Sequence, residues 1–229
     1  MQSLQGNQIE ISLGQLESMA LLVENAVATS IRALGTLDTA AAWHIIENDK
    51  AINSFEIDID NSTYTIFALS LHDIPPLSLR KILAIQKINP MLERIGDHAA
   101  NIAEAVIRLA EDGYCGERFS LDDMAKECSA ILHDAIKGFL EGDMVISGKL
   151  LRQDQMIDSM YQSINQSIKN AMLSIPPQIS FESGFALFEI GRNLERIADL
   201  SMNIGEETLF AIEGLVVKHR KPDGMQGDC

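Results

Sequence analysis

The chain is poor in cysteine, in aromatic residues and in positive charge. Its three cysteines, Cys115, Cys128 and Cys229, are odd in number and form no Cys-x-x-Cys pair. That excludes a disulfide framework and a thiolate zinc site, and suits a reducing cytoplasm. Aromatics are 5% of the 229 residues, while an apolar fraction of 46% is carried mainly by Ile, Leu, Ala and Met. Such a composition can bury a full core and favours helix over sheet. With 18 Lys and Arg against 33 Asp and Glu, the formal net charge is -15. Phosphate backbones and anionic headgroups are repelled by that charge, so no nucleic-acid partner is expected. The densest basic cluster, Lys218-His219-Arg220-Lys221, is confined to a short tail. No apolar run approaches the roughly 18 residues that cross a bilayer. The first basic residue is Arg32, so a secretory signal's positive start is lacking. The expected protein is cytoplasmic, touches membrane proteins only peripherally, and has an acidity that admits cations or a basic partner protein.

Apolar residues recur at helical spacing almost throughout. In the first helix they fall at Leu13, Leu16, Ala20, Val23, Val27 and Leu34, and in the second at Ile45, Ile52, Ile59 and Ile66. The third reads Ile85, Ile88, Leu92, Ile95, Ala99, Ile102, Val106 and Leu109, alternately three and four apart. That is the seam of a helix packed nearly parallel to its neighbours. The breaks are equally plain. Gly35 stops one helix and Asp38 caps the next, Ile74-Pro75-Pro76 ends the second, and Asp112 to Gly116 ends the third. Ser120 opens Ser-Leu-Asp-Asp, an N-cap pattern. A fourth helix is expected over about 120–140, a fifth over 143–173 after Gly142-Asp143, and a sixth over 180–214 after Ile175-Pro176-Pro177. Pro90 lies inside the third helix, where it is expected to kink it.

The scheme is duplicated. Leu92-Glu93-Arg94-Ile95-Gly96-Asp97-His98-Ala99-Ala100-Asn101-Ile102-Ala103-Glu104 lies 102 residues before Leu194-Glu195-Arg196-Ile197-Ala198-Asp199-Leu200-Ser201-Met202-Asn203-Ile204-Gly205-Glu206, with eight of thirteen positions identical. Unrelated segments would share about one. The two Ile-Pro-Pro stops are 101 apart, and Asp49-x-x-Ile52 returns as Asp154-x-x-Ile157. The expectation is an all-α protein of two tandem up-down-up three-helix bundles, six long helices in all. The first would occupy 10–114 and the second 118–217, with 218–229 a disordered tail.

The chemistry-bearing residues are acids. Glu93 and Asp97, Glu195 and Asp199, and Asp154 and Asp158 are each four apart, one helical turn, where neighbouring carboxylates can share a cation. Five such acid pairs occur, about the number chance allows for this composition, so the information lies in their equivalent places in a repeat. Glu93, Asp97 and Asn101 point away from the apolar seam, while Asp49, Asn53 and Glu56 flank the seam of their own helix. Carboxylates of two adjacent helices can thus converge on an open, oxygen-rich site that suits Mg²⁺, Mn²⁺, Ca²⁺ or ferric iron. The competing reading is a solvated acidic face balanced by Arg94 and Arg196. His98 is matched by Leu200, so it is not required in both copies and reads as a surface or packing residue. No Glu-x-x-His, His-Glu-x-x-His, Gly-x-Ser-x-Gly or phosphate-cradling loop occurs.

At 92–104 the chain resembles the PhoU family. The second copy, Asn193 to Asp199 followed by Asn203-Ile204, is similar to that family's second repeat, as are the Asp49 and Asp154 segments and Leu79-Arg80. The resemblance covers about residues 12–215. It implies a non-enzymatic, usually homodimeric, cytoplasmic regulator that damps a phosphate ABC importer and a phosphate-sensing histidine kinase. It also implies metal bound on the outer face, whether iron, manganese, zinc or magnesium. Carried over by position, the ligands would be Asp49, Glu93 and Asp97 in the first copy and Asp154, Asp158, Glu195 and Asp199 in the second. Asn53 stands where the family prefers an acid, which implies a weaker or different first site. Arg80 is matched by Glu182, which does not support a phosphate-contacting role common to both copies. Two other readings remain open: a similar regulator of another ion transporter, and a carboxylate-bridged metallohydrolase.

Overall fold

The computed structural model describes residues 2–70, 74–117, 119–150 and 153–215, and among these it holds seven helices and no strand. They are α1 (Gln2–Thr36), α2 (Thr39–Ser70), α3 (Pro76–Glu111), α4 (Leu121–Glu141), α5 (Met144–Leu150), α6 (Asp154–Leu173) and α7 (Phe181–Glu213). Helices α1 to α3 form one up-down-up bundle. α4, the α5–α6 pair and α7 form the other.

The expected seams are the core. Ile85, Ile88, Leu92, Ile95, Ala99, Ile102, Val106 and Leu109 are all buried, as are Val23, Val27, Ile52 and Ile59. One continuous apolar cluster runs through both bundles, and α3 against α7 is its most extensive helix pair. These two helices are antiparallel. At one end Arg80 of α3 donates to the carbonyls of Ala211 (3.3 Å) and Ile212 (3.1 Å), the last turn of α7. At the other, Asp112 accepts from the hydroxyls of Ser180 and Ser183, which hold its carboxyl below the ordinary range. Arg80 thus supplies positive charge where the α7 dipole ends negative. Removing it in Arg80→Ala should cost about 1–2 kcal/mol of stability, read by urea denaturation, because two charge-assisted bonds are lost. An unchanged midpoint would show that the cap contributes nothing.

Between these ends, polar pairs join the two bundles. Lys87 Nζ lies 2.8 Å from the buried Glu207 carboxylate and 4.5 Å from the centre of the Phe210 ring. His98 Nδ1 donates to Asn193 Oδ1 (2.8 Å), whose amide donates to the Glu189 carbonyl (2.8 Å). His98 is therefore a packing residue at the junction of the repeats. Cys128 is buried, with its thiol 3.3 Å from the Leu194 carbonyl, and burial pushes its pKa up to about 12.

Most helix boundaries fall at the expected stops. Asp38 Oδ1 accepts from the Ala41 amide (3.0 Å), Ser180 Oγ from that of Ser183 (2.9 Å), and Asp143 Oδ1 from Val145 (2.8 Å) and Ile146 (3.1 Å). At Ser120 the position is as expected but the mechanism is not. Ser120 has φ 62° and makes no side-chain cap, because a capping side chain requires extended backbone at that residue. α3 runs through Pro90 as one helix, while the preceding Asn89 is buried and donates across to the Glu56 carbonyl and Asp60 Oδ1, both at 3.0 Å.

The helix expected over 143–173 is instead two. α5 ends at Leu150, the Gln153 amide bonds back to the Leu150 carbonyl (2.9 Å), and α6 begins at Asp154. α5 itself seats on two glycine notches. A Cβ on Gly138 would meet Ser147 Oγ at 3.1 Å, and one on Gly205 would meet Leu150 Cδ1 at 3.3 Å. Bare backbone at both places lets α5 tuck against α4 and α7 with Leu150 buried. The tail expected from 218 lies outside the described residues, as does part of the α5–α6 joint. No described helix is long and apolar enough to cross a membrane.

Candidate functional site

In the first repeat, α2 and α3 bring the expected acids to face one another. Asp49, Asn53 and Glu56 lie on successive turns of α2, opposite Glu93 and Asp97 of α3. The approach depends on Gly96: a Cβ there would sit 2.8 Å from Ile52 Cδ1 and 3.7 Å from Asp49 Oδ1. Ile52 therefore packs onto bare α3 backbone and draws the Asp49 carboxylate half under the surface with it.

The electrostatics follow from that placement. Burial raises the Asp49 pKa, the nearby Asp97 charge raises it further, and a hydrogen bond from Asn53 Nδ2 (3.1 Å) partly offsets both. Burial likewise raises Glu93, reinforced by Asp97, Glu56 and Asp49 and opposed by Arg94. Four carboxylates are thus within electrostatic reach across one helix pair. Asp49 Oδ1 and Asn53 Oδ1 are buried and have no hydrogen-bond donor among the described residues. Buried oxygens without a donor are costly, and a cation is one way to satisfy them. In their chemistry Asp49, Glu93 and Asp97, with the Asn53 amide oxygen, are oxygen donors of the kind hard ions take. They are not gathered into a finished cage. Among the described residues no group of three or more His, Cys, Asp or Glu side chains is placed to hold a metal ion.

The second repeat departs from this arrangement. Glu195 and Asp199 are half-buried on α7, and Arg196 lies across both, with Nε 3.5 Å from Glu195 Oε2 and Nη1 3.7 Å from Asp199 Oδ2. Asp158 is exposed on α6, and for Asp154 only the backbone is described. The balancing role of arginine that competes with ion binding is therefore realised here. Asn53, which stands where an acid was expected, donates to Asp49 Oδ2 at 3.1 Å. Arg80, the other residue set aside, is occupied by the end of α7.

Sequence reasoning gave Glu56 only a flanking place. Its charge acts on Glu93, which places it with the site, and its position one turn beyond Asn53 was the available signal. Both arginines were expected to balance the acids, but nothing local distinguished Arg196, which bridges its pair, from Arg94, because both sit in identical Leu-Glu-Arg-Ile contexts.

Two stretches, residues 16–106 and 121–208, match the family model described as PhoU domain. The chain is 30% identical over 213 residues to the phosphate-specific transport system accessory protein PhoU homolog of Aquifex aeolicus, covering 93% of this chain and 95% of that one. It is similar to the crystal structure of PhoU from Pseudomonas aeruginosa, with a TM-score of 0.86 and 27% identity over 92% of this chain and 99% of that one. It is also similar to the crystal structure of the phosphate transport system regulatory protein PhoU from Streptococcus pneumoniae, with a TM-score of 0.83 and 27% identity over 93% and 99% of the two chains.

Proposed function

Because this chain belongs to the PhoU domain family, with two matched copies in register, we propose that it is a non-catalytic accessory regulator of a phosphate transport system. It acts from the cytoplasm, restrains import when phosphate is plentiful, and passes that state to the associated histidine kinase. The observation that carries the reading is the paired match along the whole helical body, shared with relatives that are named accessory or regulatory proteins of phosphate transport. The ion site adds a physical rationale. A protein of net charge -15 repels phosphate, and bound cations offset that charge at the α2–α3 surface while leaving coordination positions that phosphate oxygens can take. Iron, manganese, zinc and magnesium are the candidates, held by Asp49, Glu93 and Asp97, with Asp154, Asp158, Glu195 and Asp199 as the second, arginine-screened set.

Two measurements test this. Cells lacking the chain should take up labelled phosphate several-fold faster in phosphate-rich medium, and the wild-type gene should restore restraint. Unchanged phosphate uptake would assign the chain to a different transporter. Elemental analysis of untagged protein should find metal that falls by at least half in Asp49→Ala/Glu93→Ala/Asp97→Ala, and by less in Glu195→Ala/Asp199→Ala. Equal loading of wild type and the triple variant would remove the first-repeat assignment while leaving the transport role standing.

A further inference from the structure

One surface outside the acidic sites has a matching segment in the same chain. α1 and α4 leave between them a groove of about 690 Å³. Leu13, Ile136 and Leu140 form its apolar floor, and Glu10, Glu17 and Glu141 its acidic rim. Lys137 also lines it, and at its far end Glu24 is engaged by His133 Nδ1 at 2.9 Å. The near end of the groove therefore carries an excess of negative charge, three carboxylates against the Lys137 ammonium, and it opens beside the place where α7 finishes. Gly142, next to Glu141, would meet Ile212 Cδ1 at 3.9 Å if it carried a Cβ. Gly214 then turns the chain out of α7 with φ 76°.

The sequence that follows has the complementary order. Leu215-Val216-Val217 is apolar, and Lys218-His219-Arg220-Lys221 is the densest basic run in a protein of net charge -15. At roughly 3.3–3.6 Å per residue, Lys218 lies within about 10 Å of Leu215 and Lys221 within about 20 Å. The helical stretch from Glu10 to Glu17 is about 10 Å long, so the basic run reaches the rim from where it starts. We propose that segment 216–221 docks in cis into the near end of the α1–α4 groove, with its valines over Leu140 and its basic side chains along Glu141, Glu10 and Glu17. Tethering supplies a millimolar effective concentration, so a weak attraction is enough to keep the groove covered.

Carbodiimide cross-linking of the full-length protein at low ionic strength, read by peptide mass spectrometry, tests the contact. Lys218 and Lys221 should form amides with Glu141, Glu10 or Glu17 within one chain. Their yield should fall at least threefold in about 0.5 M salt, where charges are screened within several ångströms. Glu10→Gln/Glu17→Gln should leave links to Glu141 but lower their yield, a change that a rigid covalent neighbour would not show. Links found only between isotopically distinct copies would make a second chain the occupant and overturn cis docking. Links dominated by Glu93 and Asp97, links spread over all acidic helices, or no links at all would overturn it as well.

Discussion

Leu194→Ala should lower the unfolding free energy by about 3 kcal/mol and the melting temperature by roughly 6–12 °C. Leu194 is fully buried on α7, and the thiol of Cys128 rests on its carbonyl, so the space vacated cannot readily be refilled. Leu92 is its equivalent on α3 and is 1% exposed. Both belong to a single apolar cluster that crosses the α3–α7 junction. Leu92→Ala should therefore produce a similar loss, and both variants should still unfold in one transition whether followed by circular dichroism or calorimetry. Two separated transitions, with each substitution moving only one, would show that the repeats are independent bundles and that the junction contributes little.

Asp49→Asn/Glu93→Gln should raise the melting temperature of metal-free protein at pH 7 while abolishing its response to cations. Asp49 and Glu93 have pKa values raised above their ordinary 3.8 and 4.5, chiefly by burial. In the pH range between the unfolded and folded values, the native protein binds more protons than the unfolded chain, so stability falls as pH rises. Their favourable contribution is complete below the unfolded values and is lost as pH climbs through the folded ones. Chelator-treated wild type should thus become less stable as pH rises from the unfolded values of these two groups through their raised folded ones, and the double variant should show a shallower slope. Cation binding has the opposite pH dependence, because protons compete for the same oxygens. Manganese at about 100 times its dissociation constant should add about 2.7 kcal/mol, or roughly 5–10 °C, at pH 7.5 and much less at pH 5. A lower melting temperature for the metal-free double variant would mean that the carboxylates stabilise the fold as structural partners. An equal manganese response in both proteins would place the ion elsewhere.

The helix ends show how far local rules reach. Asp38, Asp143 and Ser180 cap as their sequence positions require, since a cap needs only a short side chain and the next turn of backbone. Ser120 does not, because the link from α3 forces Phe119 and Ser120 to positive φ, which the cap pattern does not encode. The seat of α5 depends on Gly138 and Gly205, 67 residues apart in sequence and both turned toward α5. No periodicity within 143–173 contains that information.

The acidic site divides in the same way. Its two-helix composition was legible, because heptad spacing places Asp49 and Asn53 beside one seam and the duplicated Glu-x-x-x-Asp opposite it. The difference between its two versions was not. Identical arginines flank both pairs, yet Arg196 spans Glu195 and Asp199, while in the first repeat Asp49 and Glu93 keep raised pKa values and Asp49 a buried oxygen without a donor.

By itself the amino-acid sequence determined the all-helical class, the duplication, the apolar seams and most of the stops, since each depends on residues within a few turns of one another. Only the tertiary structure decided that α3 and α7 join the repeats through Lys87–Glu207 and His98–Asn193, that Arg80 is taken up by a helix end, and which acidic pair an arginine bridges. The junction bonds and the Arg80 cap join groups 95 to 132 positions apart, which meet only at a particular rotation of α3 and α7. Packing of the whole core sets that rotation, and no local pattern records it.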